Sequence, residues 1–134
     1  TGGTVADEIA TVIRNWDTYT YFFIHVKGMD SAGEDGNFEK RVTVIEEIDA
    51  ALPVLLEKRP DVFVVTGDHS TPALLKSHSW HPVPLLLSSA YARHSGSGTF
   101  AEAECARGNL GRLPAVCLLP LMLANGKKLK KFGA

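Results

Sequence analysis

The chain lacks a cysteine framework: Cys105 and Cys117 are its only thiols. A chain of this size with a real core needs no disulfide, so both are expected to be reduced and inert. Long apolar runs are also missing. Leu113 to Leu123 is interrupted by Pro114 and Pro120 and falls short of the ~18 residues a membrane span requires, so no membrane partner is expected. Nor is there an excess of one charge. Fourteen basic residues against fifteen acidic ones leave a formal charge of -1, which gives no reason to expect nucleic-acid binding. The one basic cluster, Lys127-Lys128-Leu129-Lys130-Lys131, reads as a solvated helix end that complements the helix dipole. Internal repeats, low-complexity tracts and an interdomain linker are absent. A signal peptide is not seen, so a cytoplasmic location is expected. There is no initiator Met, and Thr1-Gly2-Gly3-Thr4 opens directly on a turn, as though cut from a longer chain.

What is present is a globular composition. The 134 residues are 45% hydrophobic and 22% charged, enough for one domain, residues 1–134, with a core of its own. Val5, Ile9, Val12, Ile13 and Trp16 recur at helical spacing after Thr4, with Asp7 and Glu8 in the first turn where the dipole favours negative charge. Tyr21 to Val26 is dense in aromatic and β-branched residues and predicts a strand. Gly28 to Asn37 reads as a turn-rich loop, with Gly33 and Gly36 permitting positive φ. Asn37 suits the N-cap of a long helix whose buried stripe is Val42, Ile45, Ile48, Leu52, Leu55 and Leu56, and Pro53 should kink or break it. Val62 to Thr66 and Val83 to Leu87 predict two more strands. Strand, helix and strand in that order imply a right-handed crossover in a parallel sheet covered on both faces. Ser88 to Gly98 is a polar loop, and Phe100 to Arg107 and Ala115 to Asn125 look helical, the second stopped by Gly126.

The residues able to grip a metal cluster beside these hydrophobic runs. Asp30, Glu34 and Asp35 follow the first, Asp68-His69 follows the second, and His78 and His81 precede the third. Ligands bind at the carboxyl ends of parallel strands, so carboxylates and imidazoles gathered there point to a cation. Asp30 and Glu34 are four residues apart, where both carboxylates can converge, whereas Asp35 is expected to cap the next helix. His78 is the preferred ligand of its pair. His25 is expected to be a satisfied core histidine and His94 a solvent-exposed one. Lys27, Arg107 and Arg112 are candidate phosphate contacts, arginine through a bidentate fork and lysine as a point charge.

Three motifs in this order, HVKGMDSAGEDGN (25–37), VTGDHSTP (65–72) and KSHSWHPVP (76–84), resemble the archaeal-type cofactor-independent phosphoglycerate mutases of the alkaline phosphatase superfamily. CARGNLGR (105–112), PLML (120–123) and the terminal Lys131-Phe132-Gly133-Ala134 extend the likeness almost throughout. The resemblance implies an α/β three-layer sandwich with a mostly parallel sheet, alkaline phosphatase-like, of which this chain is a partial domain. It implies two divalent metal ions, manganese, magnesium or zinc, and a serine that carries the phosphoryl group as 2- and 3-phosphoglycerate are interconverted. Asp30 and His78 match ligands of one ion, and Asp68 and His69 match ligands of the other. Position 34, usually histidine in the wider family, is Glu34 here, a hard ligand whose added charge shifts preference toward manganese or magnesium. The family's nucleophile serine and one further aspartate have no match in residues 1–23, so the resemblance implies the carboxyl-terminal part of a mutase, inactive alone. A phosphatase or phosphopentomutase of the same superfamily, or a non-catalytic metal-binding domain, is the alternative. A homo-oligomer formed through an unpaired sheet edge is the expected protein partner.

Overall fold

The structure, a computed structural model, describes residues 3–130. The turn expected at Thr1-Gly2 and the likeness carried by residues 131–134 lie outside the described residues. Among these residues, five α-helices, one 3₁₀ turn and two strands are distributed over two compact units. The first comprises residues 3–59 with Thr71–Ser79, and the second Pro60–Ser70 with residues 80–130.

In the first unit, α1 (Val5–Arg14) starts where Thr4 accepts the Asp7 backbone N–H and the Asp7 side chain returns to the Thr4 N–H, a reciprocal capping box. α2 (Gly28–Glu34) occupies what the glycines suggested was a loop. Its end explains why. Gly36, at φ +69°, lets the Asn37 N–H reach the Ala32 carbonyl at 2.8 Å and its own N–H reach that of Gly33 at 3.0 Å, the Schellman arrangement that closes a helix. Of the two glycines expected at positive φ, Gly36 alone is there, and Gly33 is an interior helical residue. Asn37 then caps α3 (Phe38–Leu56) by accepting the Lys40 N–H at 2.9 Å. Asp35, expected to make that cap, instead follows Glu34 as the C-cap of α2.

α1 and α2 both pack on α3, and among the described residues the buried hydrophobics Ile9, Val12, Ala32, Val44 and Leu55 all come from these three helices. The stripe on α3 is rotated from the expected one. Val44 and Leu55 are buried, Val42, Ile48 and Leu52 half-buried, while Ile45 and Leu56 face solvent. α3 runs three residues past Pro53 to Leu56. A proline at this place removes a single backbone donor in the last turn, so no break follows.

The expected parallel sheet is not found among the described residues. Residues 21–26 form no ladder; they alternate between exposed and half-buried positions, the period of an extended chain without a paired neighbour. The second unit holds the sheet, β1 (Val62–Thr66) against β2 (Leu85–Ser89), and the pairing is antiparallel, from Val62 opposite Ser89 to Thr66 opposite Leu85. The crossover expected from Tyr21 to Thr66 is therefore absent from this sheet. Hydrophobicity marks a strand without naming its neighbour, and β1 takes β2.

α4 (Glu102–Cys105) is a single turn, shorter than the predicted 100–107 helix. The last predicted helix divides into a 3₁₀ turn (Ala115–Cys117) and α5 (Leu118–Asn125), with Pro120 in the first turn of α5, where a missing N–H is harmless. α5 is tied to the sheet where the Ser89 hydroxyl donates to Asn125 Oδ1 at 2.7 Å. Beyond Gly126, Lys127 and Lys128 are exposed as expected, and Lys127 Nζ lies 4.2 Å above the Tyr91 ring. No helix among the described residues is long and apolar enough to cross a membrane.

Candidate metal centre

Helix α2 places two carboxylates in register. Asp30 and Glu34 stand four residues apart on it, a spacing that puts both side chains on one helix face. His78, in the same unit, approaches that face: its Nε2 is 3.6 Å from Asp30 Oδ1 and 3.7 Å from Glu34 Oε1. Both separations exceed a hydrogen bond. They are close to the ~3.0–3.5 Å between neighbouring donor atoms when each is bonded to one small divalent cation at ~2.1 Å. Hard carboxylate oxygens with one imidazole suit manganese, magnesium or zinc, so the donor set fits. Asp30 is two-thirds buried, whereas Glu34 and His78 are more than half exposed, which leaves an ion a route in.

The second candidate pair belongs to the other unit and follows β1 directly. The His69 backbone N–H donates to Asp68 Oδ1 at 3.0 Å, a tight local turn, and His69 Nε2 lies 3.6 Å from Asp68 Oδ2. One carboxylate oxygen is thus occupied by the main chain, and the other faces the imidazole at a separation that again suits two donors to one cation.

The remaining sequence candidates take other positions. His81 stacks on Trp80, ring centroids 5.1 Å apart, and both are exposed. His25 is exposed against Phe23 rather than held in a core, a correction that follows from the unpaired course of residues 21–26. His94 is exposed as expected and accepts the Gly96 N–H on Nδ1 at 2.9 Å. Lys27 is the exposed residue at the start of α2, Arg107 pairs with Glu104, and Arg112 is exposed.

Sequence reasoning missed two residues that lie behind Asp30 in the first cluster. Thr71 is only 4% exposed and donates its hydroxyl to Asp30 Oδ1 at 2.9 Å. Arg41, from the first turns of α3, donates through Nη1 to the Thr71 carbonyl. The available signal was the position of Thr71, two residues after His69 in a motif otherwise rich in candidate ligands.

The chain is similar to known proteins over nearly its whole length. The chain is 56% identical over 133 residues, 99% of its length, to a protein of Aquifex aeolicus named as a probable 2,3-bisphosphoglycerate-independent phosphoglycerate mutase. A Thermotoga petrophila protein of the same name is 57% identical over 134 residues, and one of Thermus thermophilus is 50% identical over 133. The chain spans 33% of the length of each of these curated relatives. Among solved structures, the PH0037 protein from Pyrococcus horikoshii superposes with a TM-score of 0.88 at 32% identity, over 95% of this chain and 39% of that one. The Metalloenzyme superfamily matches residues 3–125. A carboxylate-and-imidazole cluster set in a sequence matched over nearly its whole length leads to one assignment: the chain belongs to the Metalloenzyme superfamily.

Proposed function

We propose that this chain supplies the metal-holding part of a cofactor-independent phosphoglycerate mutase, an isomerase that interconverts 2- and 3-phosphoglycerate. The observation that carries this reading is the approach of His78 Nε2 to both carboxylates of one face of α2; the shared name of relatives at 50–57% identity supports it. Asp30, Glu34 and His78 hold one divalent cation, and Asp68 with His69 ligates a second, with manganese, magnesium or zinc as the ions. Bound divalent cations lower the pKa of an attacking hydroxyl and neutralise the oxygens of a transferring phosphoryl group.

The residues of this chain perform the holding and orienting. Asp30 and Glu34 bring two negative charges to one ion, and His78 adds a neutral donor that fixes where the ion sits between them. Asp68 and His69 do the same with fewer groups, so that pair on its own binds the weaker ion. Lys27, three residues ahead of Asp30, and Arg112, exposed and forked, are the proposed phosphate contacts. Arg107 joins them only by leaving Glu104. The nucleophile serine is assigned to no residue of this chain.

The test is a chimera in which this chain replaces the matching third of the Thermotoga petrophila relative. With manganese it should interconvert the two phosphoglycerates. Asp68→Ala, His69→Ala and Asp30→Ala should each abolish turnover. An unaltered rate in those variants removes the residues from the mechanism, and release of free phosphate without isomerisation replaces the mutase by a phosphatase of the same superfamily.

A further inference from the structure

We infer that Thr71 is a positioning residue for Asp30, and that Arg41 holds Thr71 in the place where it does this. The inference deepens the proposed metal reading, on which its functional consequence rests. A carboxylate on a helix surface has two rotatable bonds and several rotamers of similar energy. Here one of its oxygens is fixed. The Thr71 hydroxyl reaches Asp30 Oδ1 at 2.9 Å, and the same oxygen is the one 3.6 Å from His78 Nε2. The hydrogen bond therefore selects the carboxylate orientation that faces the imidazole.

Thr71 is itself held from two sides. Arg41 donates to its main-chain carbonyl, which is a charge-assisted bond and stronger than a neutral one. On the other side lies Gly33 of α2. A Cβ at that glycine would stand 2.9 Å from Thr71 Cγ2 and closer still to the Thr71 carbonyl oxygen. Only a residue without a side chain lets Thr71 sit so near α2. Thr71 is the buried polar residue of this region, and a buried hydroxyl is stable where it has a partner. Helix α2 gives it Asp30, helix α3 gives its main chain Arg41, and the outcome is a carboxylate oriented before any cation arrives. Groups that orient metal ligands in this way are worth about 10- to 100-fold in affinity.

The experiment compares the 134-residue chain with its Thr71→Val, Thr71→Ser and Arg41→Gln variants. In the metal-free proteins, NMR scalar couplings of Asp30 report whether its χ1 is fixed or averaged. Manganese affinity is then titrated by electron paramagnetic resonance. The unsubstituted chain and Thr71→Ser should show one Asp30 rotamer, whereas Thr71→Val, equal in shape and without the hydroxyl, should show averaging and about 10-fold weaker manganese binding. Arg41→Gln keeps the hydroxyl but frees the Thr71 main chain, and should loosen Asp30 partway; it decides the question if Thr71→Val does not fold. A single unchanged rotamer in folded Thr71→Val, or averaging in Thr71→Ser equal to that in Thr71→Val, overturns the inference. If the unsubstituted chain takes up no manganese while Asp30 still loosens without the hydroxyl, the positioning stands and the metal reading falls.

Discussion

Asp7 is a carboxylate whose titration the fold alters. Its hydrogen bond with the Thr4 hydroxyl, and then with the Thr4 backbone N–H, holds its carboxyl below the ordinary value of 3.8. A depressed folded pKa means that the cap contributes fully above the unfolded value and is lost as pH falls through the lower folded one. Helix α1 should accordingly fray in acid, over a window at or below about pH 5, seen as loss of far-ultraviolet ellipticity. In Asp7→Asn that acid step should shrink, and an identical acid profile in the variant would sever Asp7 from it. At Gly33 a second residue-scale outcome follows. Gly33→Ala must push Thr71 away or shift α2, and overpacking of this kind costs about 1–3 kcal/mol; thermal unfolding should register it, with weakened manganese binding beside it. The ligand candidates Asp30, Glu34 and His78 were singled out in sequence by their place beside apolar runs and by the resemblance of their motifs, and the structure brings the three together. Thr71 and Arg41 were not singled out, because a hydroxyl or guanidinium acquires its role only from what burial places next to it.

Among the elements, α3 carries the packing of its unit, since α1 and α2 both rest on it. Leu55, buried near its end, should cost about 2–5 kcal/mol when replaced by alanine. Ile45, 52% exposed on the same helix, should cost far less under the same change, and urea denaturation of the two variants checks the contrast. Equal losses would mean that the buried face is wrongly placed. The starts of α1 and α3 could be read directly because Thr4 and Asn37 act within one turn of themselves. Helix α2 could not. Its glycines are local loop signals, yet Gly33 is there for contact with Thr71 and Gly36 for the helix stop. The strands at 62–66 and 85–89 were located within two residues, but their antiparallel pairing was not, because an apolar run fits a parallel or an antiparallel neighbour equally well.

At the scale of the whole molecule the distribution of apolar surface dominates. Among the described residues the buried hydrophobics lie in the first unit, and in the second the strands and α5 are no more than half-buried. Phe23, Leu74, Trp80 and Val116 are each more than three-quarters exposed. These side chains are open to contact, and residues 21–26 offer an extended segment without a ladder. The isolated chain should self-associate as its concentration rises and should bind anilinonaphthalene sulfonate. Gel filtration that returns a clean monomer at high concentration, with no dye binding, would contradict this.

The two tryptophans have opposite surroundings. Trp16 lies parallel to Phe22 with ring centroids 5.4 Å apart, while Trp80 is 86% exposed and two residues along the chain from His78. Their fluorescence should therefore separate into a shielded component that follows the seating of the first helix and a quencher-accessible one that follows the loop bearing the imidazole. On the proposed metal reading, manganese held by His78 should dim the second component before the first, which would make Trp80 an optical indicator of cation loading.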